Sequence, residues 1–255
     1  MINTFYSDKS NGCMSAKREF YSDSKDISDI ISELKERRIK LGELKGFDGS
    51  KIIVPEPTEK IPFTYRDVTE EIQSLISDYP NFDLWDIDIP CDIMLIRSNL
   101  KGVVLSYPVA DCPVVVVNSK DTLGIAHCSG KMIDKELPKA LVDAVRKVSD
   151  AKASELTGYI GPCAGYDYVY ETFPYWATND DWKYFISDEY EGYRIDLRKA
   201  VMSQLMRSGV NHVLTSTIDT ISDPNFYSNY AFKHGDKSKN GRFLTGAYFA
   251  KSKTR

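Results

Sequence analysis

Two short runs in the middle of the chain hold residue types suited to nucleophilic or proton-transfer chemistry: Asp111-Cys112-Pro113 and His127-Cys128-Ser129-Gly130. An isolated cysteine thiol titrates near 8.5, and an imidazolium beside it lowers that value. Brought together, Cys112 and His127 would make a nucleophile and its base, or His127 would act as an acid toward a leaving group. Asp111 would orient or neutralise the ring, although an extended backbone turns it to the opposite face. The bland reading is structural. Cysteine is commonly a small buried hydrophobe, and a strand-end histidine is commonly only hydrogen-bonded.

Other runs offer contacts for a ligand. Ser129-Gly130-Lys131 precedes a helix and invites an anion, with Lys131 adding charge, but it lacks the glycine-rich run of a P-loop. Gly161-Pro162-Cys163-Ala164-Gly165 reads as a turn whose amides can line a pocket. Phe226-Tyr227-Ser228, Lys233-His234-Gly235-Asp236 and Asn240-Gly241-Arg242 combine aromatics with charge, as a stacking wall or as a solvated loop before the last strand. For a metal, Cys112 and His127 supply two ligands. The other histidines, His212 and His234, form no paired motif, and Cys128 faces away from its neighbour.

The elements that must hold these groups follow from periodicity. Helices are predicted over Asp26 to Leu41, Val68 to Ile76, Ile133 to Val148 (with Pro138 one turn inside or at its true start) and Leu197 to Met206. Strands are predicted at Ile52 to Val54, Ile93 to Ile96, Val103 to Tyr107, Val114 to Val117, Thr122 to Ala126, Leu156 to Ile160, His212 to Thr215 and Phe243 to Phe249. The turn Asn118 to Asp121 is too short for a parallel crossover, so the strands around it form an antiparallel hairpin. That hairpin places Cys112 and His127 at one sheet edge. Strands alternating with helices imply an α/β layered fold with a mixed central sheet, read as one domain over residues 1–255 with a frayed tail, Lys251 to Arg255.

Bulk properties narrow the function. Of the 255 residues, 42% are hydrophobic and 27% charged, with a net charge of -4 and no long single-sign block, so nothing points to nucleic acid. The longest apolar run, Val103 to Val117, is broken by Pro108, Asp111 and Pro113 and is too short for a membrane span. No basic, apolar leader opens the chain, and five cysteines without a CxxC motif fit free thiols in a reducing, cytoplasmic setting.

The order of motifs resembles the bacterial laccase-domain proteins, also called the multicopper polyphenol oxidoreductase family, which is linked to purine nucleoside phosphorolysis and adenosine deamination. The matching residues are Ala110-Asp111-Cys112, then Ala126-His127, then Ile160-Gly161-Pro162 through Tyr170-Glu171. Asp196-Leu197 with Gln204-Leu205 and Gly209 follow, then Phe226-Tyr227-Ser228 and Gly241-Arg242. The similarity runs from Ile93 onward and is looser before it.

The resemblance implies an α/β/α fold like that of cysteine hydrolases of the cytotoxic-necrotizing-factor type. It implies a zinc pocket built from an early histidine, Cys112 and His127, and makes Lys131, Tyr170, Glu171, Tyr227 and Arg242 ligand-binding candidates beside Cys112, His127 and Asp111. The chain departs from the pattern. Ile53-Val54-Pro55-Glu56-Pro57 stands where the early histidine belongs, Ser129-Gly130-Lys131 replaces glycine-tryptophan-arginine, and the paired arginines of the aromatic motif are missing. Zinc is therefore expected to be weak or lost, and no copper cluster is expected. The leading expectation is a purine nucleoside phosphorylase-like enzyme binding a small nucleoside and phosphate, with adenosine deamination as a further activity of the family. The alternatives are a cysteine-dependent hydrolase or amidase and a non-catalytic ligand-binding protein.

Overall fold

A computed structural model describes residues 1–21, 25–166, 168–189 and 192–251. The strands are β1 (Ile2–Tyr6), β2 (Ile52–Ile53), β3 (Tyr65–Asp67), β4 (Ile93–Arg97), β5 (Val104–Val109), β6 (Val114–Asn118) and β7 (Thr122–His127). They continue as β8 (Thr157–Ile160), β9 (Tyr168–Tyr170), β10 (Ile186–Glu189), β11 (Gly192–Ile195), β12 (His212–Thr215) and β13 (Phe243–Phe249). The helices are α1 (Ile27–Lys45), α2 (Thr69–Asp78), α3 (Gly130–Asp134), α4 (Leu137–Ser149), α5 (Leu197–Arg207) and α6 (Asn229–Lys233).

These strands form a four-stranded sheet ordered β1-β13-β5-β2, a six-stranded sheet ordered β12-β8-β6-β7-β4-β3, and a small three-stranded sheet ordered β10-β11-β9. The six-stranded sheet is mixed: β12 runs parallel to β8 and β3 parallel to β4, while β6 pairs antiparallel with both β7 and β8. The layered α/β architecture therefore holds, but its centre is two sheets rather than one. Alternate residues of each strand point opposite ways. Val114, Val116, Leu123 and Ile125 meet Leu105, Tyr107, Val109 and Phe243 of the four-stranded sheet in one buried cluster. The other parity, Val115, Val117 and Ala126, packs on Leu141, Val145, Val201 and Leu205 of α4 and α5. Across the molecule, Val104, Leu244 and Tyr248 lie against Leu34 and Leu41 of α1.

Several predicted elements shift. Asp26 caps α1, accepting the Ser28 N–H at 2.9 Å, but the helix runs four residues beyond Leu41 to Lys45, and its apolar Ile27 and Ile31 are exposed. The single helix predicted over Ile133 to Val148 is two helices. Glu136 adopts a left-handed φ of 62° between them, and Pro138 lies in the first turn of α4, where its missing N–H would be unpaired in any case. The strands around Ser98 to Gly102, β4 and β5, enter different sheets. Sequence reading missed β1, β3 and the small sheet. Of the predicted frayed tail, residues 252–255 lie outside the described residues. Among the described residues no helix is long and apolar enough to cross a membrane.

Candidate functional site

The β6–β7 hairpin sets the site. Val114 stands opposite His127 in its ladder, and the Cys128 N–H donates to the Pro113 carbonyl at 2.8 Å. The 111–113 run thus lies beside the 127–128 run at one end of the six-stranded sheet. His127 is two residues beyond Ile125, and Cys112 is two before Val114. His127 shares the parity of the residues that face the four-stranded sheet, while Cys112 lies just ahead of β6, next to the left-handed Asp111. From that sheet Tyr107 packs its ring 5.7 Å from the imidazole of His127. Cys112 and His127 are half-buried, whereas Cys13, Cys91, Cys128 and Cys163 are buried; all five cysteines are free.

Burial dominates the electrostatics. It pushes the Cys112 thiol up to about 12, with Asp111 adding to the rise and Arg242 opposing it. It pulls His127 down to about 4, and the Arg242 guanidinium pulls the same way. At neutral pH the pair is a protonated thiol and a neutral imidazole, with one ring nitrogen donating and the other accepting. Arg242 is held by its backbone. Its carbonyl accepts the Met14 N–H at 2.8 Å, and its guanidinium lies 4.5 Å from the centre of the Phe20 ring.

Asp111 is buried with a left-handed φ of 80°. Its carboxylate accepts the Thr220 hydroxyl at 2.8 Å and the Tyr230 backbone N–H at 2.7 Å, and its own carbonyl accepts the Ala164 N–H at 2.7 Å. Burial raises its carboxyl above the usual range, while the hydrogen bonds from Tyr230, Ser228 and Thr220 pull it back. These partners tie the backbone beside Cys112 to the 219–230 segment.

The remaining candidates are more scattered. Lys131, exposed on α3, pairs with Glu59 at 3.8 Å. Tyr170 sits on β9, edge-on to Trp176 at 6.0 Å, and the Trp176 indole covers Gly130, where a Cβ would come within 2.6 Å of it. Glu171 is exposed. Tyr227 packs against Gly241, with the Lys9 ammonium 6.0 Å from its ring centre. The fold thus gathers Cys112, His127 and Arg242 into one electrostatic neighbourhood. Tyr170 reaches the His127–Lys131 turn through Trp176, and Tyr227 faces the N-terminal turn.

Sequence reading missed three contributors: Tyr107, Asp92 and Glu59. Asp92 is 2% exposed and accepts five hydrogen bonds, from the N–H and hydroxyl of Thr58, the N–H of Glu59, and the N–H and hydroxyl of Thr64. It pins the 58–64 loop to the start of β4. The contributing residues are 28 to 34 apart in sequence, so no local pattern announces them.

The residues present do not fit a zinc cage. Where an early histidine would stand, Pro55 is buried, and the Glu56 backbone is spent on Ile89 and Cys91 at 3.0 Å each. Among the described residues no group of three His, Cys, Asp or Glu side chains is placed to hold a metal ion.

Residues 90–250 match the family model described as multi-copper polyphenol oxidoreductase laccase. The fold is similar to that of the hypothetical protein YfiH of Bacillus licheniformis, with a TM-score of 0.75 and 16% identity, covering 98% of this chain and 93% of that one. YlmD from Geobacillus stearothermophilus superposes with a TM-score of 0.74 at 17% identity, over 98% and 92% of the two chains. Neisseria meningitidis protein NMB0706 gives 0.71 at 12% identity, over 98% and 95%. No curated protein matches the sequence.

Proposed function

The chain belongs to the multi-copper polyphenol oxidoreductase laccase family, and from that premise we propose that it is a purine nucleoside phosphorylase-like enzyme acting between its two sheets. The observation that carries the reading is the placement of a neutral His127, with Arg242 beside it, on the half-buried edge next to Cys112.

In phosphorolysis a phosphate oxygen bonds to the anomeric carbon, the glycosidic C–N bond breaks, and the purine leaves with the electron pair. Hydrogenphosphate carries the proton that the departing base needs. A neutral imidazole can accept that proton on one ring nitrogen while passing on the proton of the other. With its pKa near 4, His127 is in that neutral form at pH 7. Arg242 and Lys131 supply the positive charge for phosphate. Asp111 positions the 220–230 segment through its hydrogen bonds. The Cys112 thiol lines the edge in its neutral form, which makes a cysteine hydrolase the weaker reading, since that chemistry needs the thiolate.

The test is release of free base from adenosine, inosine and guanosine by the purified protein, with and without phosphate. Phosphate-dependent release is expected, falling by about 100-fold or more in His127→Gln. No phosphate-dependent release from any of the three would sink the reading, and ammonia release from adenosine in the same assay reports deamination.

A further inference from the structure

Glu59 is held at the rim of this edge more firmly than an exposed glutamate requires. Its backbone N–H is one of the five donors clamped by buried Asp92, at 2.7 Å. Its φ of 54° lies in the left-handed region, which a residue with a Cβ adopts only where the surroundings impose it. From that fixed base the side chain crosses to Lys131, four residues past His127, bringing carboxylate and ammonium to 3.8 Å. The same carboxylate adds to the negative field at Cys112. The 58–64 loop and the turn after β7 are thus joined by a charge pair beside the Cys112–His127 edge.

The geometry points to Glu59 as a specificity-determining residue: a built-in counter-ion on Lys131 that an incoming oxyanion, such as inorganic phosphate, must displace. Both partners are about half exposed, 55% for Lys131 and 49% for Glu59, so water screens the pair and a ligand can compete with it. A carboxylate already in place disfavours weakly charged anions and leaves the site to those that return more charge to Lys131. The biological ligand rests on the phosphorolysis reading, but the displacement itself can be read from phosphate alone.

The experiment is calorimetric titration of the full chain with inorganic phosphate at ionic strength held constant with chloride, using wild type, Glu59→Gln, Lys131→Met and the double variant. Glu59→Gln is expected to bind phosphate about two- to fivefold more tightly than wild type. Lys131→Met should bind more weakly, and the double variant should match Lys131→Met. Unchanged or weaker binding by Glu59→Gln overturns the proposal, as does a gain that persists without Lys131. Binding by Glu59→Gln where wild type shows none supports it even if phosphorolysis fails; binding by neither overturns it. Should Glu59→Gln not fold, Glu59→Asp, which withdraws the charge from Lys131, is expected to shift affinity the same way.

Discussion

Asp111 accepts the backbone N–H of Tyr230 at 2.7 Å across 119 residues of sequence, and the same buried carboxylate takes the Thr220 hydroxyl at 2.8 Å. The residue before the candidate cysteine is therefore the anchor of the C-terminal segment. Asp111→Ala leaves the Tyr230 N–H and the Thr220 and Ser228 hydroxyls without this acceptor and keeps a Cβ at a φ of 80°. It should lower stability by about 2–4 kcal/mol in urea unfolding. Asp111→Asn retains one acceptor oxygen and should lose less. An unchanged midpoint for the alanine variant would refute the anchoring role.

His127 makes stability depend on mild acid. Its folded pKa is about 4 against a reference of 6.5, so between those values the unfolded chain binds the proton and the folded one does not. Stability is then full above pH 6.5 and falls as pH drops toward 4, by at most about 3 kcal/mol. His127→Gln should flatten that limb. Urea midpoints at pH 7 and pH 4.5 check this, and equal losses in variant and wild type would contradict it.

Cys112 should label first and slowly. It is half-buried among four buried thiols, so iodoacetamide reaches it before the others. With its pKa near 12, its thiolate fraction at pH 7.5 is about a thousandth or less of that of an unperturbed cysteine. The rate should climb about tenfold per pH unit through pH 9. Rapid labelling at pH 7, mapped to Cys112 by mass spectrometry, would reverse the choice between phosphorolysis and a thiolate hydrolase.

Much of the scaffold was legible because it is local. The β6–β7 hairpin follows from two valine- and isoleucine-rich runs and a short turn, and that alone places residues 112 and 127 at one edge. The split between α3 and α4 was half visible in Pro138, but the left-handed Glu136 carries no sequence signature. The second sheet was hidden because β1 joins β13 across the whole chain length, and β2 is only two residues long. The Asp92 clamp was unreadable for the same reason: its donors become neighbours only when β4 enters the sheet. The electrostatic state also ran against expectation. A cysteine beside a histidine suggests an activated thiolate, yet burial raises the thiol and lowers the imidazole, leaving both neutral.

Asp134 makes a second acid transition, separable from that of His127. At the end of α3 its carboxylate accepts the N–H and hydroxyl of Thr178 at 2.7 and 2.8 Å, the Asn179 N–H at 2.8 Å and the Trp182 indole N–H at 2.9 Å, and it pairs with Lys135 at 3.0 Å. These bonds hold the 176–182 segment, and so Trp176, over Gly130. Together they lower its carboxyl to about 2 from 3.8. A depressed carboxyl stabilises the fold above its unfolded pKa, and that share, about 2 kcal/mol, is lost as pH falls from 3.8 toward 2. Asp134→Asn should lose at least that much at pH 7 while shedding the dependence below pH 4. His127→Gln should keep the lower transition and lose the upper one. Unfolding free energies of the two variants at pH 7, 4.5 and 3 separate the windows. A single shared transition, removed by either substitution, would mean that the hairpin edge and the Trp176 segment unfold together rather than titrate apart.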